Sequence, residues 1–248
     1  MLRKGARAAL RSSVLIVGVW LGQAAQADEV FDEKVRQALL NNPEIVLEVF
    51  AILERKNEER ERRQDLGLIG SVASELFAIP DDEDAVIGPV VVEFVDYQCG
   101  YCRRAEAEVA ALKAEHPEIE VKLLQFPILG EQSVELARLA LATRNLYGEE
   151  QYHLFNDVVL QGGEAAVNNL DRFLSELGFD VEALREAAAS PEIDDELAAT
   201  HELARKLNIS GTPGFVTPSQ IHRGFATAEV LAQSALRHLQ VSEDVQTQ

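Results

Sequence analysis

Apolar positions change their spacing along the chain, and each change marks an element. Phe31, Val35, Ala38 and Leu39 recur at helical spacing. A second helix restarts at Asn42-Pro43, with Asn42 as N-cap and Pro43 at the first helical position. Its stripe is Val46, Val49, Phe50 and Leu53. Beyond Leu53 it gives way to mixed charge, with Glu58–Arg62 and Glu59–Arg63 at helix-supporting spacing, to an end near Leu66. Residues 80–89 are acidic, with Pro and Gly at the ends, and read as an entry loop. "VVVEFVD", Val90 to Asp96, is apolar except for Glu93 and its last residue, the pattern of a central strand buried on both faces. A helix starting at "CGYC" and a second strand within 118–128 complete a βαβ unit, whose crossover is right-handed by rule. Residues 133–207 are helical throughout, in five segments broken by Gly, Asn, Asp and Pro. A short hairpin and a closing helix follow. The pattern predicts an α/β fold: a small sheet carrying a large all-helical insertion at 133–207, behind an N-terminal helical extension at 28–70.

Charge and the N-terminus narrow the setting. Arg3, Lys4, Arg7 and Arg11 precede the apolar "SVLIVGVWLG" and the small-residue "AQA", which together read as a secretory signal peptide spanning 1–27. Its removal takes four basic residues and moves the formal charge from −19 to −23. A chain this acidic does not hold nucleic acid through its phosphates. Met1 and Trp20 both leave with the leader, so the mature chain lacks the thioethers that favour copper. The expected location is the periplasm, where thiols meet an oxidising environment.

Cys99 and Cys102 are the two cysteines of the chain. A bridge between them closes almost no loop, so a mechanical staple is a poor reason for the pair. A structural zinc would need two more ligands, and His116, His153, His201, His222 and His238 show no paired spacing. Neither a metal nor a cofactor is expected. The strand-to-helix junction instead suits thiol–disulfide exchange. At a helix N-terminus the free N–H groups and the dipole favour a thiolate at Cys99, and Cys102, one turn on, can resolve a mixed disulfide. Gly100 and Tyr101 between them add little positive charge.

"VVVEFVDYQCGYC", "FPILGEQS", a helical insert, "LARKLNISGTPGFV" and a final helix resemble, in that order, the DsbA-like branch of the thioredoxin superfamily over about residues 77–240. The resemblance implies a thioredoxin fold interrupted by helices. It implies an exported protein thiol–disulfide oxidoreductase that acts on cysteine-containing exported proteins and is reset by a membrane redox partner. It also implies residue roles. Thr212-Pro213 matches a loop whose cis-proline faces the two cysteines and pairs with the client strand, with Thr212 tuning the nearby sulfur. Glu93, six residues before Cys99, matches a buried acid that relays protons to Cys102.

"LLNNPEIVLEVFAILE" resembles the N-terminal segment of the suppressor-of-copper-sensitivity C proteins, in some of which it makes a homotrimer. That favours a disulfide isomerase or reductase working as an oligomer. A monomeric DsbA-like dithiol oxidase and a Cu(I)-binding thiol protein of copper stress are the alternatives.

Overall fold

The computed structural model describes residues 31–77 and 88–246, with side chains as far as 237. The leader expected at 1–27 and most of the acidic loop at 80–89 lie outside the described residues. The chain divides into two units, 1–60 and 61–248. In the first, α1 covers 31–41 and closes with the Asn42 side chain donating to the Ala38 carbonyl at 2.8 Å. The helix α2, Glu44–Phe77, begins one short turn later. All the residues from 31 to 60 are exposed, including Phe31, Leu40, Leu47 and Phe50.

The second unit is built on a four-stranded sheet of order β2-β1-β3-β4. The central strand β1, Val90–Val95, runs parallel to β2, Glu120–Gln125, and antiparallel to β3, Gly214–Thr217. β4, Gln220–Arg223, completes a hairpin with β3. The period-2 alternation of β1 sends its residues to two cores. On one face, Val91 and Phe215 lie under α3, Gly100–Glu115, and α9, Ala228–Gln246. Glu108 of α3 caps α9 by accepting from the Ala228 N–H at 2.9 Å. On the other face, Val90, Val92, Phe94 and Val216 meet Ile69, Val72, Leu76 and Phe77 of α2, together with Leu203, Leu207 and Ile209.

The sequence pattern ends α2 near Leu66, but the helix continues through Gly67 and Gly70 to Phe77. Each glycine costs a helix about 1 kcal/mol. Burying Ile69, Val72, Leu76 and Phe77 returns about 1.5–3 kcal/mol per side chain, so tertiary packing wins. Arg223 also holds this end of the helix, its two terminal nitrogens donating to Asp65 at 2.8 and 3.2 Å.

Between β2 and β3 the chain forms α4, Glu131–Tyr147, α5, Glu149–Asn168, α6, Leu170–Glu176, α7, Val181–Ala188, and α8, Pro191–Lys206. Gly163 interrupts α5 at φ 54°, a left-handed conformation in which a Cβ would also stand 3.3 Å from the Arg103 Cδ. The core of these helices, with Leu136, Tyr152, Phe155 and Leu174, runs without a break to Tyr97, Cys99 and Cys102.

Candidate functional site

β1 delivers the segment Asp96-Tyr97-Gln98 to the start of α3, and Cys99 becomes its N-cap with extended backbone, φ −78° and ψ 116°. The Cys99 N–H donates to the Asp96 carbonyl at 3.0 Å, and its own carbonyl accepts from the Arg103 N–H at 3.2 Å. The Cys99 thiol donates to the Thr212 carbonyl at 3.2 Å, in a loop whose Thr212–Pro213 bond is cis. Both cysteines are free thiols. Cys99 retains 8% of its surface, whereas Cys102, one turn on, has none. Tyr101 between them is 58% exposed. The outer sulfur therefore meets whatever lies along the Thr212-Pro213 loop, and the inner one is reached only through it.

Burial holds the Cys102 thiol above its ordinary value. Nearby Glu93 and Cys99 add to the effect, while hydrogen bonding with the Asp96 backbone and the Thr212 side chain opposes it. Glu93 lies on the α3 face of β1, fully buried, and its Oε2 has no hydrogen-bond partner. Burial first, and then the Glu106 carboxylate, raise its pKa from 4.5 to about 8, with Lys113 opposing. Glu106, one turn beyond Cys102, is buried too. Its pKa is raised, first by burial and then by Asp157 of α5.

The sign for stability follows from Glu93. Between pH 4.5 and 8 the folded chain keeps a proton that the unfolded chain has released, so stability falls as pH rises through that window. Glu93→Gln, which never ionises, is expected to be more stable than the parent by about 4 kcal/mol at pH 8, with the gain gone at pH 4.5. Chemical denaturation at the two pH values measures it.

Asp96 was read from the sequence as the last residue of a strand, yet the structure makes it the tie point of the site. Its Oδ1 accepts from the Gln98 N–H and the Ser133 hydroxyl, each at 2.8 Å. Its Oδ2 accepts from the N–H groups of Ile128 at 2.8 Å and Leu129 at 3.0 Å. α4 has only Gly130 as N-cap, with no capping side chain, and Asp96 anchors the segment that enters it. A second buried set joins the sheet to the insertion. Gln125 Nε2 donates to the hydroxyls of Tyr97 and Tyr152, each at 2.9 Å. Tyr97 donates to Asn156, and Tyr152 donates to the Leu123 carbonyl at 3.2 Å. Single polar residues inside apolar segments, Gln125 and Asn156, were the only sequence signal for this set. Among the described residues no group of three or more His, Cys, Asp or Glu is placed to hold a metal ion.

Comparison with known proteins gives a consistent account of this domain. The model of a DSBA-like thioredoxin domain matches residues 90–235. A thioredoxin-like oxidoreductase from Silicibacter pomeroyi is 33% identical, with a TM-score of 0.57, covering 68% of this chain and 97% of that one. Two others share the fold. A linker-deletion mutant of ScsC from Proteus mirabilis is 23% identical, with a TM-score of 0.58, covering 87% of this chain and 97% of its own. The thiol-disulfide exchange protein alpha-DsbA2 from Wolbachia pipientis is 22% identical, with a TM-score of 0.62, covering 72% and 98%. Among curated proteins, the Na(+)/H(+) antiporter NhaA 3 of Salinispora tropica is 25% identical over 199 residues. That match covers 76% of this chain and 30% of the antiporter, so the chain spans less than a third of that relative. Among the described residues no helix is long and apolar enough to cross a membrane.

Proposed function

The chain belongs to the family of DSBA-like thioredoxin domains, and on that premise we propose that it is an exported thiol–disulfide oxidoreductase that rearranges or reduces disulfides in client proteins, working as an oligomer joined through its N-terminal helices. The observation that carries the exchange chemistry is the pairing of Cys99 with the Thr212 carbonyl, in front of a fully buried Cys102.

The Cys99 thiolate attacks one sulfur of a client disulfide. That S–S bond breaks, a mixed disulfide forms, and the electron pair leaves on the second client sulfur, which takes up a proton. The backbone beside Pro213 and Thr212 holds the client segment. For isomerisation, another client thiol then attacks the mixed disulfide and the enzyme leaves reduced. For reduction, Cys102 passes its proton to Glu93 in its ionised form, whose share grows as pH rises toward 8, and attacks Cys99. The Cys99–Cys102 disulfide forms, the client thiol is released, and two electrons have moved to the client. A membrane-bound dithiol reductant then restores both thiols.

The oligomer rests on the surface of the first unit. Phe31, Val35, Leu39, Leu40, Ile45, Val46, Leu47, Val49, Phe50, Ile52 and Leu53 are all exposed within 31–53. An apolar surface of this length marks an association site. Phe50→Asp in the full chain is expected to weaken self-association by about 10–100-fold, the worth of one buried phenylalanine, as read by sedimentation. The same variant should lose reactivation of a scrambled multi-disulfide substrate. If the disulfide form of the parent instead oxidises reduced clients rapidly and reactivates no scrambled substrate, the enzyme is a monomer-type dithiol oxidase.

A further inference from the structure

Arg104 follows Tyr101 by one turn on α3, and its guanidinium lies between two aromatic rings. The guanidinium carbon is 5.4 Å from the centre of the Tyr101 ring and 5.2 Å from that of Phe225, in the loop between β4 and α9. Both rings are open to solvent, Tyr101 at 58% and Phe225 at 38%, and Arg104 is exposed with them. Two aromatic contacts restrain the guanidinium, and its N–H edge keeps its donors. Among the described residues that edge makes no hydrogen bond and no ion pair. The lack of a carboxylate partner is notable in a chain with 42 acidic residues against 23 basic ones. The Arg104 backbone lies about 7.5 Å along the axis of α3 from Cys99, at 1.5 Å per residue, and its guanidinium reaches back to Tyr101, two residues after Cys99.

We infer that the Tyr101–Arg104–Phe225 stack is a client-reading surface, which selects protein segments bearing an Asp or Glu side chain within a few residues of the cysteine that Cys99 engages. The inference rests on the exchange activity proposed above and adds a preference to it. A carboxylate presents two oxygens to the planar fork of a guanidinium, which suits a pre-oriented arginine better than a single hydroxyl or amide does. Charge complementarity makes the same choice. An acidic client is repelled by the net charge of this chain and attracted at Arg104 beside the reactive sulfur, so the stack fixes orientation as well as affinity. The engaged step is the attack of Cys99 on the client disulfide. The carboxylate is neither oxidised nor reduced and only docks.

The test uses the full chain, reduced, and peptide disulfides that carry Glu at one of the three positions on either side of the cysteine. Each has a twin with Gln in place of Glu. Mixed-disulfide formation is timed for each pair at low and high salt, and bis(2-hydroxyethyl) disulfide serves as an uncharged control for exchange itself. At the best position the Glu peptide should react about fivefold faster than its twin at low salt, the size of an exposed ion pair. The ratio should shrink at high salt in the parent protein, a readout that needs no variant. It should fall to about one in Arg104→Met and invert in Arg104→Glu. A ratio of one at every position in the parent, or a preference that survives Arg104→Met, overturns the inference. Failure of the parent to react with the uncharged disulfide would instead overturn the exchange reading, so the two failures are distinct.

Discussion

Cys99→Ser is expected to lower disulfide exchange by at least about a thousandfold, because no other thiol in the chain can open a client disulfide. Cys102 is the only other cysteine of the chain, and it is fully buried behind Cys99, with burial opposing its ionisation. The complementary variant separates the two roles. Cys102→Ala keeps the exposed thiol and removes the resolving one. The protein should therefore open client disulfides at close to the parental rate and then accumulate as a covalent adduct. Non-reducing electrophoresis of a trapped client reads both variants at once. If Cys99→Ser forms the adduct and Cys102→Ala does not, the order of the two sulfurs is reversed.

The second large effect concerns stability. Asp96→Ala should cost about 3–5 kcal/mol, since it strands three backbone N–H groups and a buried hydroxyl that now share one carboxylate. For a domain of this size that is a fall in Tm of roughly 10–15 °C. Circular dichroism is the suitable probe, because the single tryptophan, Trp20, lies in the leader expected at 1–27. The damage should also reach beyond β1: residues 126–130 lose their anchor, and exchange activity should fall with them. A Tm within 2 °C of the parent would show that water replaces the carboxylate at those donors.

The elements that could be read in the sequence are those whose signal is local. β1 announced itself as an apolar run, and its place in the middle of the sheet follows from burial on both faces. The five helices of the insertion are separated by residues that break helices, and Gly163 kinks α5 within its length. Glu93 was singular because a carboxylate inside such a run has to be buried once the strand is central. What escaped were pairings over long separations. Asp96 finds its partners 32, 33 and 37 residues away, and Gln125 meets Asn156 at a separation of 31. No periodicity encodes such meetings. Nothing local marks Arg104, since Phe225 lies far along the chain and only the fold brings its ring close. The end of α2 was misjudged for the opposite reason. The apolar stripe fades into mixed charge before Leu66, and packing of Ile69, Val72, Leu76 and Phe77 against the sheet carries the helix beyond it.

The buried set of Gln125 with Tyr97, Tyr152 and Asn156 bears on how such a fold can be altered. Tyr152 and Asn156 are one turn apart on α5, and both accept from the amide nitrogen of a carboxamide that belongs to the sheet. The helical insertion is thus not an interchangeable cap. A segment transplanted from another protein into the interval between β2 and β3 would have to present a phenol and a carboxamide at the same two heights. Otherwise Gln125 would have to be replaced at the same time by an apolar residue of similar volume. Chimaeras that ignore this condition keep every catalytic side chain and still leave a polar group bare at the join.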